Sequence, residues 1–121
     1  MATFLFTYRV PRKPLTEVLA GMDESARADR MAAWNDWFGG MGASVLDQGL
    51  PVNDARAVGT TADTRVGGYS LVTAADLDAA VAMAQGCPGV EWGGGVEVGE
   101  FIELGGQTRP IVAGRSEADT R

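Results

Sequence analysis

The chain has no histidine, and that absence excludes more chemistry than any single motif supplies. Imidazole is the side chain whose unperturbed pKa suits proton transfer near neutrality, and it is the commonest transition-metal ligand. A Ser-His-Asp or Cys-His triad therefore cannot be assembled within these 121 residues. The lone cysteine, Cys87, rules out an internal disulfide framework and points to a reducing, cytoplasmic compartment. It also leaves a structural zinc site with one thiolate and no imidazole. No stretch carries the D-x-[DN]-x-[DN]-G spacing of a calcium loop, so neither a metal nor a cofactor is expected.

Positive charge is scarce as well: ten Lys and Arg stand against sixteen Asp and Glu, for a net charge of -6. Phosphate neutralisation needs clustered basic residues, so a nucleic-acid partner is not expected. The one local basic group is Arg9, Arg12 and Lys13, interrupted by Pro11; solvating a loop is its expected role, and an anionic small molecule is the functional alternative that suits it best. Long apolar runs are missing too. The opening MATFLFTYR has no basic leader segment, and its apolar residues alternate, which predicts a strand rather than a secretory signal or a membrane span.

With 45% hydrophobic residues, 121 positions suit one compact domain. A chain of this length buries only about two-thirds of its unfolded surface, so pairing with a second copy is an economical way to cover what remains. Residues 3–8 form the first predicted strand, ending before Pro11 and Pro14. A short helical turn is expected at residues 16–20. The next helix is expected over residues 23–38, with Asp23 as N-cap, Arg27, Met31, Trp34, Phe38 and Met41 at helical spacing, and Gly39-Gly40 as the stop.

Strands are then expected at residues 43–48, more weakly at 55–61, and at 66–73, where Tyr69 and Ser70 point to opposite faces. A second helix over residues 76–85 carries a Leu77, Ala80, Val81, Ala84 stripe and closes at Gly86 and Pro88. A last strand is expected at residues 96–102. The glycine run before it fails G-x-G-x-x-G, because Val98 stands at the last glycine position; close backbone passage is its expected role. Residues 1–104 thus form the domain, and 105–121 read as a partly disordered tail. The order of elements predicts an α+β, ferredoxin-like split β-α-β sandwich with both helices on one face of the sheet. Apolar residues on the other face point to sheet-to-sheet packing of two subunits as a dimeric α+β barrel with a cavity.

Five segments in this order resemble the YCII-related family, also called the DGPF-domain family. They are Trp34 and Trp37 on the first long helix; Asp47, Gly49 and Pro51 after the second strand; the G-G-Y-x-x-V strand at 67–72; the L-D-x-A helix with its closing G-C-P at 77–88; and G-G-V-E-V at 94–98. The resemblance spans residues 3–103. It implies a homodimeric ferredoxin-like fold with a pocket. Some relatives are thought to be enzymes using a histidine-aspartate pair, and one branch performs dehalogenation-type chemistry on small ring-opened acids. This chain has no histidine for such a pair and, in place of a literal D-G-P-F, carries TTADTRVG at 60–67.

The candidate catalytic residue is Asp47, a carboxylate at a strand end opening onto a turn; accepting backbone N–H bonds within that turn is its alternative role. Tyr8, Trp34, Trp37 and Tyr69 are the candidate ligand-binding residues, the indoles as an aromatic wall and the phenols as hydrogen-bond donors. For each, a core or interface role is the alternative. Asp36 is expected to face solvent, and Cys87 to be a small buried residue. A small acidic or planar organic molecule in a homodimer cavity, with lyase-like or isomerase-like chemistry, is one reading. A non-catalytic regulatory or protein-interaction module, using the Trp helix as partner surface, is the other.

Overall fold

The structure, a computed structural model, describes residues 1–60 and 62–102. The elements run β1 (Ala2–Pro11), α1 (Leu15–Ala20), α2 (Glu24–Met41), a 3-10 turn (Gly42–Ser44), β2 (Val45–Asp47), β3 (Thr64–Ala74), α3 (Leu77–Ala84), α4 (Pro88–Glu91) and β4 (Gly95–Glu100). Among the described residues the strands form one open antiparallel sheet in the order β2-β3-β1-β4. This α+β architecture is compatible with a ferredoxin-like fold. The expected disordered tail at 105–121 lies outside the described residues.

Alternation along β1 sets the core. Phe4, Phe6 and Tyr8 point to one face, opposite Val72, Ser70 and Gly68 of β3 and Glu100, Val98 and Val96 of β4. Against that face pack Trp34, Trp37, Phe38 and Met41 of α2 and Ala80, Met83 and Ala84 of α3. Both helices therefore cover the same face. Asp76 caps α3, its side chain accepting the Ala79 N–H at 2.8 Å, and Asp23 caps α2 in the same way from Ala26.

The structure corrects several boundaries. Helix α2 runs through Gly39 and Gly40 to Met41, and Gly42, at φ +55°, ends it. Two interior glycines cost a helix about 1 kcal/mol each, less than docking the Trp34-Trp37-Phe38-Met41 stripe returns. That stripe, not one through Met31, is the packing face; Met31 is 63% exposed. Arg27 instead donates to the carbonyls of Leu19 and Met22, tying the end of α1 to α2. On α3 the buried side is Ala80 and Ala84, while Leu77 and Val81 lie at the surface. Strand β1 extends to Pro11, whose partner is Thr64. Residues 55–60 form no strand, because the chain docks on β3 by other means: a Pro51–Gly68 bridge and a Val52 N–H to Gly67 carbonyl bond of 3.0 Å.

The glycine motifs have packing causes. A Cβ on Gly49, at φ +77°, would stand 1.8 Å from the Tyr69 carbonyl oxygen, so only glycine lets this turn lie on β3. A Cβ on Gly94 would stand 2.6 Å from the Arg9 carbonyl, which is the close passage expected of the glycine run. Gly86 of the G-C-P segment lies against the Trp37 indole, with 3.2 Å to a virtual Cβ.

Candidate functional site

The sequence-derived candidates separate into two groups on opposite faces of the sheet. Tyr8, Trp34 and Trp37 meet on the helix side. The Tyr8 ring centroid is 5.0 Å from Trp34 at 79° and 6.1 Å from Trp37 at 73°, and Phe6 stacks on Trp37 at 6.0 Å and 14°. The Trp37 Nε1–H donates to the Met83 carbonyl at 3.1 Å. These rings are the joint between α2 and the sheet, and edge-to-face contacts of this kind add about 0.5–1.5 kcal/mol each beyond area. Outside them lies a shallow groove of about 490 Å³ between α2 and α3, with Asp36 and Met83 among its walls; Asp36 is exposed, as expected.

The Tyr8 hydroxyl is already engaged. It lies 2.7 Å from Ser70 Oγ, which itself donates to the Gln48 carbonyl at 2.6 Å. Ser70 has one proton, so Tyr8 donates to Ser70 and Ser70 to the carbonyl. Burial pushes the Tyr8 phenol well above its ordinary value, against a smaller opposite pull from the Ser70 bond. The chain Tyr8–Ser70–Gln48 thus stitches β1, β3 and the turn after β2. Ser70, fully buried, was visible in the sequence only as a polar residue on the face opposite Tyr69.

Asp47 and Tyr69 lie on the other face. Tyr69 is opposite Thr7, Leu71 is opposite Leu5, and Asp47 is opposite Leu71. Asp47 Oδ1 accepts the Gly49 N–H at 2.9 Å, while Oδ2 faces the Tyr69 hydroxyl at 3.4 Å. The first bond fixes the carboxylate in its turn, as the alternative role anticipated. The second is long for an O–H···O bond, so the pair is open to a third group. Asp47 is exposed and Tyr69 is 37% exposed, with exposed Leu46 and Leu50 beside the turn and buried Leu71 beneath. One protomer therefore brings together Tyr8, Trp34 and Trp37, and separately Asp47 and Tyr69, but not all five.

Following the register across β4 completes this second face. Thr7 is opposite Glu97, and Arg9 is opposite Gly95 on β4 and Val66 on β3. The rows are thus Val66, Arg9, Gly95; then Tyr69, Thr7, Glu97; then Leu71, Leu5, Gly99, with Asp47 reaching in from β2. Arg9, on the same face as Thr7 by strand alternation, is held by Thr64 through Nε to Oγ1 at 3.2 Å and Nη2 to the carbonyl at 3.0 Å.

Elsewhere the structure shows a charged residue that sequence reasoning missed. Arg65 is 3% exposed and donates to the carbonyls of Lys13, Val52 and Val66 at 2.8–3.3 Å. It staples the segment before α1 and the loop after β2 to β3, and nothing in local composition marks an arginine for burial. Cys87 is 3% exposed, and burial raises its thiol pKa against weaker pulls from the Gly89 and Val90 amides, so it behaves as the small buried residue expected. Trp92 lies under the Arg30 guanidinium, 4.2 Å from its ring centroid. No group of three or more potential metal ligands occurs among the described residues, and no helix among them is long and apolar enough to cross a membrane. Scans against protein-family models, curated proteins and solved structures return no match for the chain.

Proposed function

We propose that this chain is a YCII-related protein that acts as a homodimer and binds a small organic molecule over the second sheet face. The observation that carries the reading is the Asp47–Tyr69 pair: a carboxylate fixed by the Gly49 amide and facing a phenol at 3.4 Å, above a Leu5-Leu71 floor. Catalytic hydrogen bonds are often long before substrate arrives. Because α2 and α3 cover only the helix-side face, sheet-to-sheet pairing of two copies as an α+β barrel would enclose the second face and exclude water from the pair. Asp47 is then the proton acceptor of a lyase-like or isomerase-like step, and Tyr69 the hydrogen-bond donor to the oxygen that gains charge.

Tyr8, Trp34 and Trp37 serve this site from behind. They fix β1 and β3, and so the register that aligns Thr7 with Tyr69. The rival reading, a regulatory module using the Trp helix as partner surface, loses support because Trp34, Trp37 and Phe38 pack against the core. The test combines sedimentation equilibrium with screening of planar acids and lactones by NMR. A dimer with ligand shifts at Thr7, Tyr69 and Leu71, weakened by Asp47→Asn and Tyr69→Phe, is expected. A monomer, or shifts confined to the α2–α3 groove, would sink the reading.

A further inference from the structure

We propose that Arg9 is the anchor for a carboxylate on the ligand of this face. The inference rests on the preceding reading for its location and names the chemical class that the site takes. Three observations carry it. First, the guanidinium is pre-oriented: Nε and Nη2 are both held by Thr64, and Nη1 makes no bond to any described residue. An arginine held along one edge presents its remaining donors in a fixed direction, which lowers the entropy lost on binding.

Second, among the described residues Arg9 has no acidic partner within ion-pair distance, the ion pair found there being Arg56–Asp54. Arg9 is half-buried, so a carboxylate reaching it gains a charge-assisted bond screened less than at an open surface. Third, one flank is clear. Gly95 stands opposite Arg9 on β4, and among the described residues nothing lies within 4 Å of the place its Cβ would take. On the other side, Thr7 lies one row away, about 7 Å along the strand, and continues to Tyr69 and the Asp47 carboxylate. A planar acid can therefore lay its carboxylate on Arg9 and its body toward Tyr69. Glu97, diagonal to Arg9 on the same face, is the competing anion.

The test uses the isotope-labelled full chain, with sodium benzoate as the probe and benzamide as its uncharged counterpart. Benzoate is expected to shift the Arg9 Nε–H and the Thr7 and Gly95 amides saturably below about 10 mM, with benzamide at least about tenfold weaker. Arg9→Gln should weaken benzoate at least about tenfold. Gly95→Val, which fills the clear flank in a strand that favours valine, should do the same while the amide spectrum stays folded. Glu97→Gln should tighten benzoate about twofold by removing the competing carboxylate.

Equal affinity for benzoate and benzamide, unchanged affinity in Arg9→Gln, or no saturable shift would each overturn the assignment and leave Arg9 as a staple on Thr64. Loss of benzoate in Asp47→Asn but not in Arg9→Gln would also overturn it. Benzoate held by Arg9 while Asp47→Asn and Tyr69→Phe change nothing would keep the anchor and remove the Asp47–Tyr69 reading.

Discussion

On the helix side of the sheet, Phe4, Phe6, Tyr8, Ser70 and Val72 are each 8% exposed or less. On the other side, the same two strands carry half-buried Leu5, Thr7 and Arg9 and a Tyr69 that is 37% exposed. Strand alternation divides the side chains between these two faces, with Leu71, 6% exposed, the buried exception on the second one, so the two tyrosines separated by one sheet thickness do different things. Tyr8 has its proton committed to Ser70 and its ring wedged among indoles. Tyr69 has a long, loose bond to an exposed carboxylate. Core and site are thus built from the same two strands, and the core side fixes the geometry that the site side displays.

The largest effect that would separate the faces is on the helix side. Trp37→Ala should destabilise the fold by about 3–5 kcal/mol, because it empties the space that Phe6, Tyr8, Phe38 and Gly86 surround; urea denaturation reads it, and a loss under 1 kcal/mol would mean the aromatic joint is not the core. Arg65→Leu comes next, at about 2–4 kcal/mol, since it removes four part-buried hydrogen bonds and leaves the carbonyls of Lys13, Val52 and Val66 short of donors. Gly49→Ala should cost about 2–3 kcal/mol through its positive φ and its contact with the Tyr69 backbone, and its Asp47–Tyr69 geometry should shift visibly by NMR.

A pH effect belongs to the same side. Burial holds the folded Tyr8 phenol above its ordinary value of 10.0, so its stabilisation is full below that pH and is lost as pH rises toward the higher folded value. Tyr8→Phe should flatten this alkaline decline, measured by urea melts at about pH 8, 10 and 11. The smallest stability effect is on the second face: Asp47→Asn should change stability by no more than about 0.5 kcal/mol, while altering ligand binding. A large stability loss there would merge the two faces into one structural unit and end the comparison.

How much of this was legible in advance depended on the range of the interaction involved. The Asp23 cap, the β1 alternation and the opposite orientation of Tyr69 and Ser70 follow from neighbours a few residues apart, and all were readable. Helix α2 was misjudged at its end because two glycines look like a stop locally, whereas Trp34 to Met41 dock on a sheet whose strands lie far away in the chain. The 55–61 segment has strand-like composition, yet the Pro51 bridge and the Arg65 staple already occupy the edge of β3. Of the site, Asp47 and Tyr69 were named as candidates, but grouping them with Tyr8 and the indoles required ignoring parity. Arg9 was noted as one of a basic trio; its lone presentation beside Gly95 depends on register with β4.

By itself the sequence determined the main helices and strands, the alternation that divides each long strand's side chains between two faces, and the classes of catalysis that a chain without histidine cannot perform, since periodicity and composition are local properties. Only the tertiary structure decided which residues became neighbours across strands: that Ser70 completes Tyr8, that Arg65 is buried, and that Arg9, Thr7, Tyr69 and Asp47 share one face. Those relations are fixed by strand register and by the glycines that let turns approach β3 and β1, and register is set by the whole packed core rather than by any segment of it.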